Sequence, residues 1–153
     1  MTFPTVTSQQ GASKLWVQTG PLTITPHSLN GADNNYEQIS QVPPLTIPFP
    51  GVWEFFYNVR SSVFVPANKA LWVHTALFKN GAPIPGSEAL TGLHGANANQ
   101  GIQSTAGQTF MDTFAANDVV TLHAYRIGRD GTATIISQPD GRTGVMAHWV
   151  SPV

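Results

Sequence analysis

Leu45-Thr46-Ile47-Pro48-Phe49-Pro50-Gly51-Val52-Trp53-Glu54-Phe55-Phe56-Tyr57-Asn58-Val59-Arg60 is the stretch whose reading decides the fold. A short β-prone run meets Pro-Phe-Pro-Gly, which cannot continue a helix and turns the backbone. Nine residues rich in aromatic and β-branched side chains follow, the composition of a well-buried strand. Side chains alternate across a strand, so Trp53, Phe55, Tyr57 and Val59 share one face. Val52, Glu54, Phe56, Asn58 and Arg60 share the other. The first face reads as core, and the second is mixed.

The remaining chain repeats this pattern in shorter pieces. Lys14 to Gln18 and Leu22 to Thr25 read as short strands around Gly20-Pro21. Residues 26 to 44 read as loop, because Asn30-Gly31 and Asp33-Asn34-Asn35 are turn chemistry. Ser61 to Pro66 reads as a connection or a short strand. Ala70 to Lys79 is a strong strand, closed by Asn80-Gly81, where both residues tolerate positive φ and set a tight hairpin. Residues 86 to 101 hold Gly, Asn and Ala with little periodicity and read as a long loop. Ile102 to Phe114, Val119 to Ile127, Thr132 to Ser137 and Val145 to Val150 complete the strands. Turns at such spacing, with no helical period between them, predict an all-β sandwich or barrel.

Composition narrows the function. The chain has 153 residues, a formal net charge of −1 and only 10% charged residues, consistent with one domain. Its seven basic residues are scattered, so neither nucleic acid nor an anionic membrane is expected as a partner. There is no cysteine, hence no disulfide framework and no thiolate metal site. Nothing approaches the roughly 20 apolar residues of a helical membrane span. The start carries no export pattern, which leads to the expectation of a protein made in a host cytoplasm.

Four segments carry a resemblance. Pro50-Gly51-Val52-Trp53-Glu54-Phe55 resembles the Pro-Gly-x-Tyr-x-Phe strand of the C1q and tumour-necrosis-factor-like domains. Ala76-Leu77-Phe78-Lys79-Asn80-Gly81 resembles their strand ending in Lys-Asn-Gly. Phe114-Ala115-Ala116-Asn117-Asp118-Val119-Val120-Thr121-Leu122 is similar to their Leu-x-x-Gly-Asp-x-Val-x-Leu signature. Met146-Ala147-His148-Trp149-Val150 is similar to their closing strand. Asn117 replaces a Gly, which is tolerable because Asn enters the left-handed region readily. His148 replaces another Gly, so backbone approach there must differ.

The resemblance implies a ten-stranded jelly roll over residues 14 to 153, assembled as a homotrimer, while the polar residues 1 to 13 read as a loose terminus or as an arm that docks on a neighbour. It places Trp53, Phe55, Tyr57, Leu71, Val73, Leu77, Val120 and Leu122 inside. Val52, Phe56, Trp72, Phe78, Val119 and Tyr125 then point outward, with His74 and His123 beside them. These eight are the expected subunit interface, unless loops of the same subunit cover some of them. On a three-fold axis, His74 and His123 would meet their symmetry mates and make assembly pH-sensitive. The alternative is that they are simply hydrogen-bonded there.

No catalytic, cofactor-binding or metal-ligating set is expected. The five histidines lack zinc spacing, and Asp33, Glu37, Asp112, Asp130 and Asp140 are isolated. The expected role is non-enzymatic: a stalkless, charge-poor virion structural protein, a capsid decoration or fibre knob on a bacteriophage surface. It would contact the major capsid protein or other virion proteins, with the arm as anchor. The alternative is a trimeric head that binds a receptor or host-surface glycan through residues 86 to 101 and 128 to 143. A glycan hydrolase ranks last.

Overall fold

The computed structural model describes residues 12, 13 and 15 to 153. The arm expected over residues 1 to 13 lies outside them except for Ala12 and Ser13. All regular structure among the described residues is β. The strands are β1 (Ala12–Ser13), β2 (Trp16–Gln18), β3 (Ile24–Ser28), β4 (Glu37–Gln38), β5 (Leu45–Thr46), β6 (Gly51–Val65) and β7 (Lys69–Lys79). They continue as β8 (Ala82–Pro83), β9 (Ala89–Gly95), β10 (Gln100–Phe114), β11 (Val119–Ile127), β12 (Thr132–Ser137) and β13 (Gly144–Ser151).

Two antiparallel sheets pack face to face as a jelly roll. In the first, β10 pairs with the whole of β6 on one edge. β13 takes the first half of the other edge and β12 the second half. β2 then extends β13, and β3 extends β12. In the second sheet, β7 lies between β11 and the pair β8 and β9, while β4 and β5 flank β11.

β6 sets the register. Its odd-numbered residues from Gly51 to Val65 are all buried, and its even-numbered ones all reach solvent to some degree. Trp53, Phe55 and Tyr57 meet Leu71, Val73, Leu77, Val120 and Leu122 in one core, as expected. The expected break after Arg60 does not occur. Ser61 stays in the alternation because its inward hydroxyl lies 2.9 Å from Thr91 Oγ1, on a strand of the opposite sheet. A polar residue can therefore occupy a core position without ending the strand.

The expected loop over 86 to 101 is largely strand. β9 pairs with β7 from Lys69 to Thr75, with Ala89 and Thr91 facing inward and Leu90 and Gly92 outward. Its alternation is faint in sequence because the side chains are small. Gly92 is required there, since a Cβ would collide with the Trp72 ring lying over it. β3 likewise runs beyond Thr25 through Pro26 to Ser28, at a sheet edge where proline's missing donor costs no ladder bond.

The turn chemistry is as the sequence implies. Asn80 and Asn117 have φ of 51° and 67°. Asn80 also ties two hairpin ends together, donating to Asp118 Oδ1 at 2.7 Å and accepting from Val119 N at 2.9 Å. Gly51 begins β6 at φ 150°, where a Cβ would collide with the Trp149 indole.

Tyr57 links the sheets through the core. Its hydroxyl lies between the carbonyls of Thr75, at 3.1 Å, and Ser87. Burial pushes the phenol pKa up to about 12, so it stays a neutral donor. Replacing Tyr57 with Phe strands buried acceptors and should lower stability by about 1–3 kcal/mol. Urea unfolding of Y57F against the natural protein measures this.

Candidate functional site

The eight residues expected at a subunit interface fall on two opposite faces. Val52 and Phe56 lie on the outer face of the first sheet, in β6. Trp72, His74, Phe78, Val119, His123 and Tyr125 lie on the outer face of the second, in β7 and β11. Strand parity assigns all eight to the outside, but β6 is not a neighbour of β7 within a sheet. They do not make one contiguous patch.

The second-sheet group is largely closed by its own chain. Tyr36, from the segment between β3 and β4, sets its ring edge-on to Phe78 at 5.1 Å and to Tyr125 at 4.6 Å. Phe78 stacks on His123 at 3.8 Å, and Tyr125 on His74 at 4.5 Å. Phe78 is thereby only 8% exposed, although its strand position faces outward. The Tyr36 hydroxyl donates to Glu88 at 2.6 Å, and His74 Nδ1 lies 3.1 Å from the same carboxylate. Trp72 and Val119 remain open, at 42% and 37% exposure.

These contacts fix the electrostatics. The hydrogen bond from Tyr36 holds the Glu88 carboxyl below its ordinary pKa. Burial, reinforced by Glu88, pushes the Tyr36 phenol far up. Burial also holds His123 below the ordinary histidine value, with Nε2 3.0 Å from Thr121 Oγ1. His74 is thus engaged within one chain by Glu88, whereas His123 keeps a buried Nδ1 without a partner among the described residues.

The first sheet's outer face is different. Cross-strand register sets Trp16, His148, Glu54 and Met111 side by side across β2, β13, β6 and β10. The next row is Gln18, Met146, Phe56 and Thr109, and Val52 stands beside Thr113 on the other side of the first row. Met111 is 62% exposed and Trp16 39%. The titratable side chains in these rows are Glu54 and His148, 3.1 Å apart. Phe56 stacks on the same imidazole at 5.7 Å, which is what occupies the position where Gly was expected.

Beside this face runs the far edge of β10, fifteen residues with no strand paired to it among the described residues. It has no Lys, Arg or Pro. Its one charge, Asp112, is held by Lys79 at 2.8 Å. Single-chain proteins usually guard so long an edge.

Sequence reasoning missed Trp16, Glu54, Met111, Met146 and His148 as a group, because only sheet order brings them together. It missed Tyr36 because turn residues surround it. Among the described residues no cluster of three or more metal-ligating side chains occurs.

No family model matches the chain, and no curated protein matches it in sequence. Solved structures match in fold. Murine APRIL at pH 5.0 is 10% identical, with a TM-score of 0.51 over 89% of this chain and 98% of that one. Murine APRIL at pH 8.0 is 11% identical, with the same score and coverage. Eiger TNF from S. frugiperda is 5% identical, with a TM-score of 0.45 over 86% of this chain and 96% of that one. The APRIL likeness supports the tumour-necrosis-factor-like jelly roll built above from strand order.

His123 supplies a pH test. Its folded pKa is depressed, so the unfolded chain binds a proton first as pH falls. Its contribution to stability is complete above the unfolded value of about 6.5 and declines below it. Unfolding midpoints measured from about pH 7 to about pH 5 should fall, and His123→Gln should flatten that decline.

Proposed function

We propose that this protein is a non-enzymatic structural jelly roll that works as a homotrimer on a bacteriophage particle surface, docked on the major capsid protein or another virion protein. The observation that carries the assembly reading is the outer face of the first sheet, where large apolar side chains alternate with a few polar ones. Trp16 and Met111 stand exposed at the two ends of its first row with no described segment over them, whereas Tyr36 covers Phe78 and Tyr125 on the second sheet. Exposed apolar surface of this kind marks an interface. The unguarded β10 edge borders it, so an edge of one copy meeting the face of the next would close both. The C1q-like sequence resemblance supports a three-fold arrangement, and the scarcity of charge supports a surface spent on protein contacts.

The carboxylates are engaged within the chain. Asp33, Glu37, Glu54, Glu88, Asp112, Asp130 and Asp140 are paired with basic side chains or histidines, and Asp118 caps the turn at Ala115.

A second reading, a head that recognises a glycan, is favoured by one feature. A cleft opens between the turn at Gly20-Pro21 and the turn at Asp140-Gly141. The second turn falls within residues 128 to 143, where the sequence put such a site. Most of residues 86 to 101, the other expected site loop, is strand.

Native mass over a dilution series tests the assembly. The natural protein should remain trimeric to nanomolar concentration. Trp16→Lys with Met111→Lys should weaken association by about tenfold or more and leave the far-ultraviolet spectrum unchanged. A folded monomer at all concentrations would remove the proposal.

A further inference from the structure

The cleft has a volume of about 250 Å³ and lies where the apolar rows end. Phe56 and Met146 form its apolar side, and the next row, Asn58 beside Gly107 and Gly144, begins the polar one. Two turns wall it. Gly20 and Gly141 both have positive φ, at 73° and 66°, and a Cβ on Gly141 would press on Pro21 at 3.0 Å. The turns therefore touch, and glycine keeps that contact close.

Four polar side chains line this space, and one of them, Thr19, spends its hydroxyl on the backbone of Gly20 and Val145. Gln18 and Asn58 make no side-chain hydrogen bond among the described residues. Asp140 is held by Arg142, whose Nε lies 2.9 Å from Oδ2, and by Arg60, whose Nη1 lies 3.7 Å from the same oxygen. Its other oxygen, Oδ1, has no partner among the described residues. The cleft thus offers two amides that donate and accept, one acceptor carboxylate oxygen and an aromatic wall.

Resting on the glycan-recognition reading above, we infer that the cleft binds a single neutral pyranose ring. The volume is below the range of drug-sized pockets and suits one ring. A hydroxyl-rich ring with an apolar face satisfies each group: hydroxyls donate to Asp140 Oδ1 and exchange bonds with Gln18 and Asn58. The ring's C–H face meets Phe56, which the His148 stack holds in place. An apolar ligand would bury the amides and the carboxylate unpaired. An anion would face Asp140, and a cation would gain little from a carboxylate that Arg142 and Arg60 already neutralise. The carboxylate between two guanidiniums leaves a neutral ligand with the least opposition.

The experiment is a titration of the full chain, followed by backbone amide NMR. The probes are the methyl pyranosides of glucose, galactose, mannose and N-acetylglucosamine, with glucuronate and glucosamine as charged counterparts. At least one neutral pyranoside should shift the amides of Gly20, Gly141 and Gly144, and neither charged sugar should do so more strongly. Asn58→Leu and Gln18→Ala should each weaken that binding by about tenfold, as expected when a partnered polar group is lost. Both are surface positions, and an unchanged spectrum away from the cleft verifies the fold of each variant. Leu90→Ser, on the other sheet, should leave binding unchanged. Shifts confined to other regions, preference for a charged sugar, or unaltered binding by both variants would overturn the cleft assignment and leave a glycan-binding head standing. No shift with any sugar, together with no binding to larger glycans, would overturn both.

Discussion

The fold depends on the parity of β6. Fifteen residues run without a break, and every second side chain enters the core. β10 is registered to all fifteen, while β12 and β13 share the opposite edge. A slip of one residue would bury Glu54, Asn58 and Arg60 and expel Trp53, Phe55 and Tyr57, so register is tightly set. Backbone contacts enforce the same register. Gly51 must pass under the Trp149 indole, and Gly107 lies so near the Tyr57 carbonyl that a Cβ would collide with it. Tyr57 then carries the register across to the second sheet by its bonds to Thr75 and Ser87.

That parity also creates two outer faces, and the chain treats them differently. On the second sheet it lays Tyr36 across Phe78 and Tyr125 and anchors it on Glu88. Aromatic stacking on two histidines completes a covering made within one subunit. On the first sheet, the Glu54 and His148 pair sits among Trp16, Phe56 and Met111 with no described segment over it. The difference turns on where the connecting segments run. The segment between β3 and β4 crosses the second sheet, and no described segment crosses the apolar rows of the first. The account of assembly rests on this asymmetry, and the cleft at the end of those rows adds a place where a ligand could meet the same face.

Much of the core was legible because aromatic and β-branched residues alternate strongly in Val52 to Arg60 and Ala70 to Lys79. Asn80 and Asn117 were legible because few residues take positive φ. Ser61 hid the second half of β6, since its inward hydroxyl finds Thr91 only across the sandwich. β9 was hidden by small residues, and Gly92, which looks like a loop residue, is there because Trp72 lies on it. Parity told inside from outside correctly for Val52, Phe56, Trp72 and Val119. It carried no information on which sheet each strand joins, so it did not show that the eight residues fall on two faces. Phe78 shows the remaining gap: an outward strand position is covered by a tyrosine more than forty residues earlier, a contact with no local signature.

The most direct measurement is oxidative footprinting of the intact protein in solution, reading Met111 and Trp16 against Trp72. All three are exposed among the described residues, so a copy docked on one face changes their relative reactivity. The account predicts that Met111 and Trp16 are protected at micromolar protein while Trp72 is modified freely, and that dilution below the dissociation point restores the first two together. Protection of Trp72 with free modification of Met111 would place the interface on the second sheet and contradict the central claim.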